Sequence, residues 1–193
     1  YTSIWPILND EGVSGVTLHE IDAGIDTGAI VDQRAFSISE NDRTSDLYDN
    51  YLRHSYELFI NNIKNLISGK TISKKQSPQR STYYAKSSID FKNLSIDLNQ
   101  TAYVIKKQIL AYSFRVYQLP VVNGRRITGA KILNNKSIFK PGVIFSKDDH
   151  SIDCATIDYD IRLYFDRMSE LHYFGNCTVD EAGYLLSGLA GIH

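Results

Sequence analysis

The sequence predicts an α/β chain in two parts: an α/β portion to about residue 93, then one helix and a mostly-β portion to about residue 166. Three observations predict it. Two β-branched apolar runs near the start flank a short acidic, glycine-rich loop, and a long stretch of helical period follows them. A polar arm comes next, with a second helical stretch behind it. From Val121 onward the texture changes to short strands and turns. No internal repeat or low-complexity segment interrupts the plan.

Residues 15–19 (GVTLH) and 29–38 (AIVDQRAFSI) read as strands, and the loop between them makes a strand–loop–strand unit. In the helix that follows, Thr44 is placed to cap, and Leu47, Tyr48, Tyr51, Leu52, Leu58, Phe59, Ile63, Leu66 and Ile67 recur at three- and four-residue steps. Gly69 stands where a left-handed residue would end it. Residues 70–88 are polar with Pro78 in the middle, which reads as a connecting arm. A second helix is expected from about 98 to 112, capped by Asp97 and apolar at Ala102, Ile105 and Ile109. In VVNGRRI an Asn-Gly pair lies between β-formers, a strong short-range hairpin signal. Strands are expected at 142–145, 152–156 and 161–165. Thr178 and Glu181 have capping-box spacing and would open a terminal helix. The expected division is 1–93, 94–170 and 171–193, the last being the start of a helical extension.

Composition excludes some classes. A formal net charge of −1 gives no general attraction to nucleic acid or to an anionic membrane. No apolar run has the length of a membrane span, so no membrane partner is expected. Two cysteines, Cys154 and Cys177, lack CxxC spacing and fit a reducing cytoplasm. Four N-x-S/T sequons would matter only in a secreted chain, and the opening YTSIWPILND has no targeting character. That opening, without methionine, leads us to expect that the sequence starts inside a larger protein.

The chemistry concentrates in IDAGIDTGAI. Its aspartates do not recur at alternate positions and no glutamate closes the loop, which argues against calcium. The five histidines share no metal spacing, so no metal is expected. On spacing alone the loop reads as a glycine-rich turn with solvated carboxylates. His19 alternates inward on its strand and reads as a satisfied structural histidine.

The runs GVTLHEIDAGIDTGAIVDQ and SENDRTSDLYDNYL resemble the methionyl-tRNA and sugar formyltransferase family. QSPQRSTYYAKSSIDF, YSFRVYQLPVVNGRRI and TIDYDIRLYFD resemble its sugar N-formyltransferase branch, whose members act on nucleotide-linked amino-dideoxyhexoses. Nearly the whole chain is covered, and IDAGIDTG is the most specific motif. The resemblance implies the C-terminal part of a Rossmann-like formyltransferase domain, then a small mostly-β domain and a terminal helix. TVDEAGYLLSGLAGIH resembles the first helix of an ankyrin-like extension.

The activity so implied is formyl transfer from N10-formyltetrahydrofolate, a co-substrate, to the amine of a nucleotide-linked, dTDP-type amino sugar. It would serve bacterial surface-polysaccharide synthesis, in the cytoplasm and as a homodimer. Asp26 matches the catalytic aspartate of the family, which supports a histidine that manages the amine proton. The folate rim is implied at Asp22, Ala23, Gly24, Ile25, Thr27 and Gly28, the glycines letting the backbone approach a flat pterin. The sugar-nucleotide side is implied at Trp5, Arg80, Tyr83, Tyr84, Phe114 and Tyr117, with ordinary packing as the alternative for each aromatic. Arg80, Lys86 and Arg115 would meet a diphosphate or form a solvated face.

One departure stands out. The family's Asn-x-His pair should precede Asp26, yet no N-x-H occurs in these 193 residues. The chain is therefore expected to be a fragment, inactive alone. Two alternatives stay open: a methionyl-tRNA formyltransferase, or a truncated, non-catalytic module for binding or oligomerisation.

Overall fold

A computed structural model describes residues 2–77 and 82–168 of the chain. It opens with an element that sequence periodicity did not anticipate, the short helix α1 (Ile4–Leu8). Pro6 is tolerated there because amides in a first turn have no intrahelical acceptor. Strands β1 (Val13–His19) and β2 (Ile30–Ser37) form an antiparallel two-stranded sheet, as the strand–loop–strand reading expects. Helix α2 (Thr44–Ile67) lies against this hairpin. Phe36 of β2 stacks on His54 with ring centroids 4.9 Å apart and meets the Tyr51 edge at 5.2 Å. Asn62 donates to the Asp32 carboxylate at 2.7 Å.

The start of α2 corrects one expectation. Thr44 does not cap the helix but is its first residue, and the Asp46 carboxylate accepts the Arg43 amide at 2.8 Å. The Thr44 hydroxyl is buried and donates to the Ala111 carbonyl, one of the unpaired groups at the end of the next long helix. At the other end Gly69 does take a left-handed conformation (φ 65°). The amides of Gly69 and Lys70 bond the carbonyls of Leu66 and Asn65, a Schellman closure.

Helix α3 (Ala102–Tyr112) starts later than expected. Asp97 accepts the Asn99 amide in a local turn instead of capping the helix. Thr101 takes the cap position, and the Ala102 amide donates to Asp158 at 2.8 Å. A carboxylate 56 residues away thus does what Asp97 was expected to do.

The remaining strands are β3 (Val121–Val122), β4 (Arg125–Lys136), β5 (Ile144–Lys147), β6 (Ser151–Cys154) and β7 (Tyr159–Phe165). They form one antiparallel sheet in the order β3-β4-β7-β6-β5. Asn123 (φ 48°) and Gly124 (φ 76°) both lie in the left-handed region, as a two-residue type I′ hairpin turn demands. β4 extends far beyond the expected hairpin arm, because its outer half carries lysines and asparagines that hide the strand pattern.

α3 joins two cores. One of its faces packs Ile105 and Ile109 against Ile127, Ile152, Ile161 and Leu163 of the five-stranded sheet. Its last turn, with Leu110 and Ala111, packs against Ile4 and Ile7 of α1 and Leu47 of α2. Cys154 lies in the sheet core, and burial pushes its thiol up to about 12. Among the described residues no helix is long and apolar enough to cross a membrane. The expected terminal helix, Thr178 and Glu181 included, lies outside them.

Candidate functional site

The acidic loop hangs between β1 and β2, closed at its base by the Glu20 amide donating to the Ala29 carbonyl at 2.9 Å. Asp22 turns inward and staples it, accepting from the Gly24 amide at 3.0 Å and the Thr27 hydroxyl at 2.6 Å. Those bonds, the Thr27 hydroxyl first, hold its carboxyl below the usual carboxylate range. Gly28 has an intramolecular reason to be glycine. A Cβ there would stand 1.7 Å from the Glu20 carbonyl oxygen, so any side chain would burst the loop base. Ile25 is left almost fully exposed at the tip.

Asp26 is held differently from Asp22. Its backbone is in the left-handed region (φ 56°), and its carboxylate, 85% exposed, faces His19 Nε2 at 3.7 Å. His19 is partly buried and both its ring nitrogens face an oxygen, in keeping with a satisfied histidine. A carbonyl can only accept, so the 2.7 Å contact of Nδ1 with the Glu20 oxygen places a proton on Nδ1. The neutral ring then turns a lone pair toward Asp26, and only the imidazolium can donate to it. Gln76, on the arm, donates its side-chain amide to the carbonyls of Asp26 and Gly28.

Asp26 lines a cavity of about 500 Å³ with residues of α1 and of the arm. Trp5 stacks on Tyr84 there, centroids 4.1 Å apart and planes 12° from parallel. Asn9 donates to the Tyr84 hydroxyl at 2.6 Å, which leaves the phenol proton free to point into the space. Tyr83 is exposed along the same wall. Two acidic side chains, Glu11 and Asp26, and no basic one occur among the described lining residues. The electrostatics suit an amine or a hydroxyl donor.

The structure thus brings Trp5, Tyr83 and Tyr84 together with Asp26. It separates Phe114 and Tyr117 from them. Those two rings meet edge to face at 4.8 Å and line a separate, smaller cavity of about 250 Å³ with Tyr48 and Ser3. Arg115 pairs with buried Asp166 at 2.9 Å and so has a structural role. Arg80 lies outside the described residues. Sequence reasoning missed Asn9, Glu11 and Gln76, whose types are common in turns and on solvated faces. Ile89 and Phe91, also on the cavity wall, belong to the quoted QSPQRSTYYAKSSIDF and were not singled out. Among the described residues no group of His, Cys, Asp and Glu is arranged to hold a metal ion.

No family model matches the chain. WlaRD, a sugar 3N-formyl transferase crystallised in the presence of dTDP and 5-N-formyl-THF, is 37% identical and superposes with a TM-score of 0.72 over 85% of this chain and 59% of that one. The N-formyltransferase from Helicobacter canadensis, in complex with folinic acid and dTDP-3-aminofucose, is also 37% identical, with a TM-score of 0.73 over 86% of this chain and 60% of that one. Over most of its length the chain is thus similar to members of the formyltransferase family. The methionyl-tRNA formyltransferase of Clostridium tetani (strain Massachusetts / E88) is 30% identical over 161 residues, which is 80% of this chain and 50% of that protein. The chain spans about half the length of the curated relatives it matches.

Proposed function

We propose that the full-length protein transfers a formyl group from N10-formyltetrahydrofolate to the amine of a dTDP-linked amino-dideoxy sugar. One observation carries the reading: the loop carboxylate of Asp26 and the stacked Trp5–Tyr84 pair open on the same cavity. The 37% identity to two sugar N-formyltransferases supports the choice of acceptor. Formylated tetrahydrofolate acts as a substrate here, supplying an electrophilic formyl carbon next to the loop rim of Asp22, Ala23, Gly24, Ile25, Thr27 and Gly28.

In this reading the acceptor enters between Glu11 and Asp26 as the neutral amine, and their charges favour the positive charge that develops on its nitrogen as it reacts. The amine nitrogen forms a bond to the formyl carbon, the bond from that carbon to N10 breaks, and the amine proton ends on N10. Asp26 holds the positive charge while the proton is in transit. The Asn-x-His pair that family resemblance implies does not occur in these 193 residues, so the whole reaction is proposed for the full-length protein. Tyr84 and Trp5 offer aromatic faces to the nucleotide-sugar. We further place the enzyme in the cytoplasm, as a homodimer, in the synthesis of a surface polysaccharide. In this reading residues 1–93 complete the catalytic domain, 94–170 form a small β-rich domain and 171–193 begin a helical extension.

A second reading, formylation of methionyl-tRNA, is favoured by the curated relatives. The net charge of −1 counts against an acceptor stem. Offering both acceptors in one assay separates them. Formylation of the dTDP-linked 3-amino or 4-amino sugar alone supports the first reading, and formylation of methionyl-tRNA alone replaces it with the second.

A further inference from the structure

Formyl transfer asks for a carboxylate that stays put, yet the Asp26 side chain is exposed and its peptide is in the left-handed region, which non-glycine residues adopt uncommonly. The holding group lies 50 residues away. Gln76 Nε2 donates to the Asp26 carbonyl at 2.8 Å and to the Gly28 carbonyl at 2.7 Å, so both N–H groups of one amide are committed to the loop. The arm that carries Gln76 is fixed two residues earlier. Ile30 and Lys74 exchange backbone hydrogen bonds of 2.7 Å in each direction, which locks the arm in register beside β2. Asp22 contributes nothing to Asp26 itself, because its carboxylate is taken by Gly24 and Thr27.

We propose that Gln76 is a positioning residue, whose amide keeps the Asp26 peptide left-handed and so aims the Asp26 carboxylate into the cavity beside Tyr84. The proposal rests on the formyl-transfer reading for its functional consequence, and on geometry alone for the clamp. The same arm supplies Tyr83 and Tyr84 to the cavity wall, so it carries both an acceptor-facing surface and the device that orients the carboxylate.

The test uses the full-length protein with Gln76→Met, which keeps side-chain length and removes both donors, and Gln76→Glu, which sets carboxylate oxygens against two carbonyls. Three readouts are taken: kcat and KM for each substrate, the thermal midpoint, and hydrogen exchange of residues 20–29 against that of α2. The expected result is a fall in kcat of about 100-fold with KM for the nucleotide-sugar moved by no more than about twofold. Exchange rises in the loop while α2 and the midpoint hold. Loop exchange and kcat equal to wild type in both variants overturn the clamp. A rate loss that only follows loss of folded protein overturns it too. If the wild type formylates no amine while Gln76→Met still frees the loop, the formyl-transfer reading fails and the clamp stands.

Discussion

The sheet core and the acidic loop are built on opposite principles. In the five-stranded sheet, Ile127, Ile161 and Leu163 are fully buried against α3, and close apolar packing reinforces the strand ladder that holds them. In the loop almost nothing is buried, and position is set by a few directed bonds: Asp22 to Gly24 and Thr27, Gln76 to Asp26 and Gly28. The first arrangement resists change because every neighbour must move together. The second leaves a carboxylate accessible to substrate, at the cost of depending on single hydrogen bonds. The second region is where we propose the chemistry.

This contrast can be broken from either side. The largest expected effect is in the core: Ile127→Ala lowers unfolding free energy by about 2–5 kcal/mol, read from the denaturant midpoint. A loss under about 1 kcal/mol would mean that the sheet core is not close-packed. Next comes the cavity wall. Tyr84→Ala removes the stack on Trp5, lowering stability by about 0.5–1.5 kcal/mol, and raises KM for the nucleotide-sugar several-fold. An unchanged KM would remove Tyr84 from the acceptor side.

The loop staple comes third. Thr27→Val deletes one donor to Asp22 and loosens the loop locally, seen as faster exchange of the Gly24 amide with no shift in the global midpoint. A midpoint shift would contradict the loop's independence from the core. The smallest effect is with pH. The Asp22 carboxyl is held below its ordinary 3.8, so its stabilisation is complete above that value and disappears as pH falls through the lower folded-state value. The Gly24 amide shift should stay constant above about pH 5 and move only below about pH 4. A midpoint above that range would show that Asp22 does not hold the loop.

What the sequence reveals follows the same division. Period and turn chemistry disclose β1, β2, α2, the Asn123–Gly124 turn and Gly69, because each depends on neighbours a few residues away. Capping fails at Thr44 and Asp97, where Ala111 and Asp158 win the hydrogen bonds from 67 and 56 residues away. Within the site, family resemblance points to Asp26, Trp5, Tyr83 and Tyr84, which do converge. It also points to Phe114 and Tyr117, which gather at the smaller cavity instead. Gln76 carries no local signal, since its partners are backbone carbonyls.

The most direct measurement is formyl transfer by the full-length protein, wild type against Asp26→Asn, from N10-formyltetrahydrofolate to a dTDP-linked amino-dideoxyhexose, followed as mass gain on the sugar. The account predicts a gain that Asp26→Asn slows by about 10²-fold or more while the thermal midpoint stays put. A substitution that leaves the rate intact, or a wild type that formylates neither the 3-amino nor the 4-amino sugar, would contradict it.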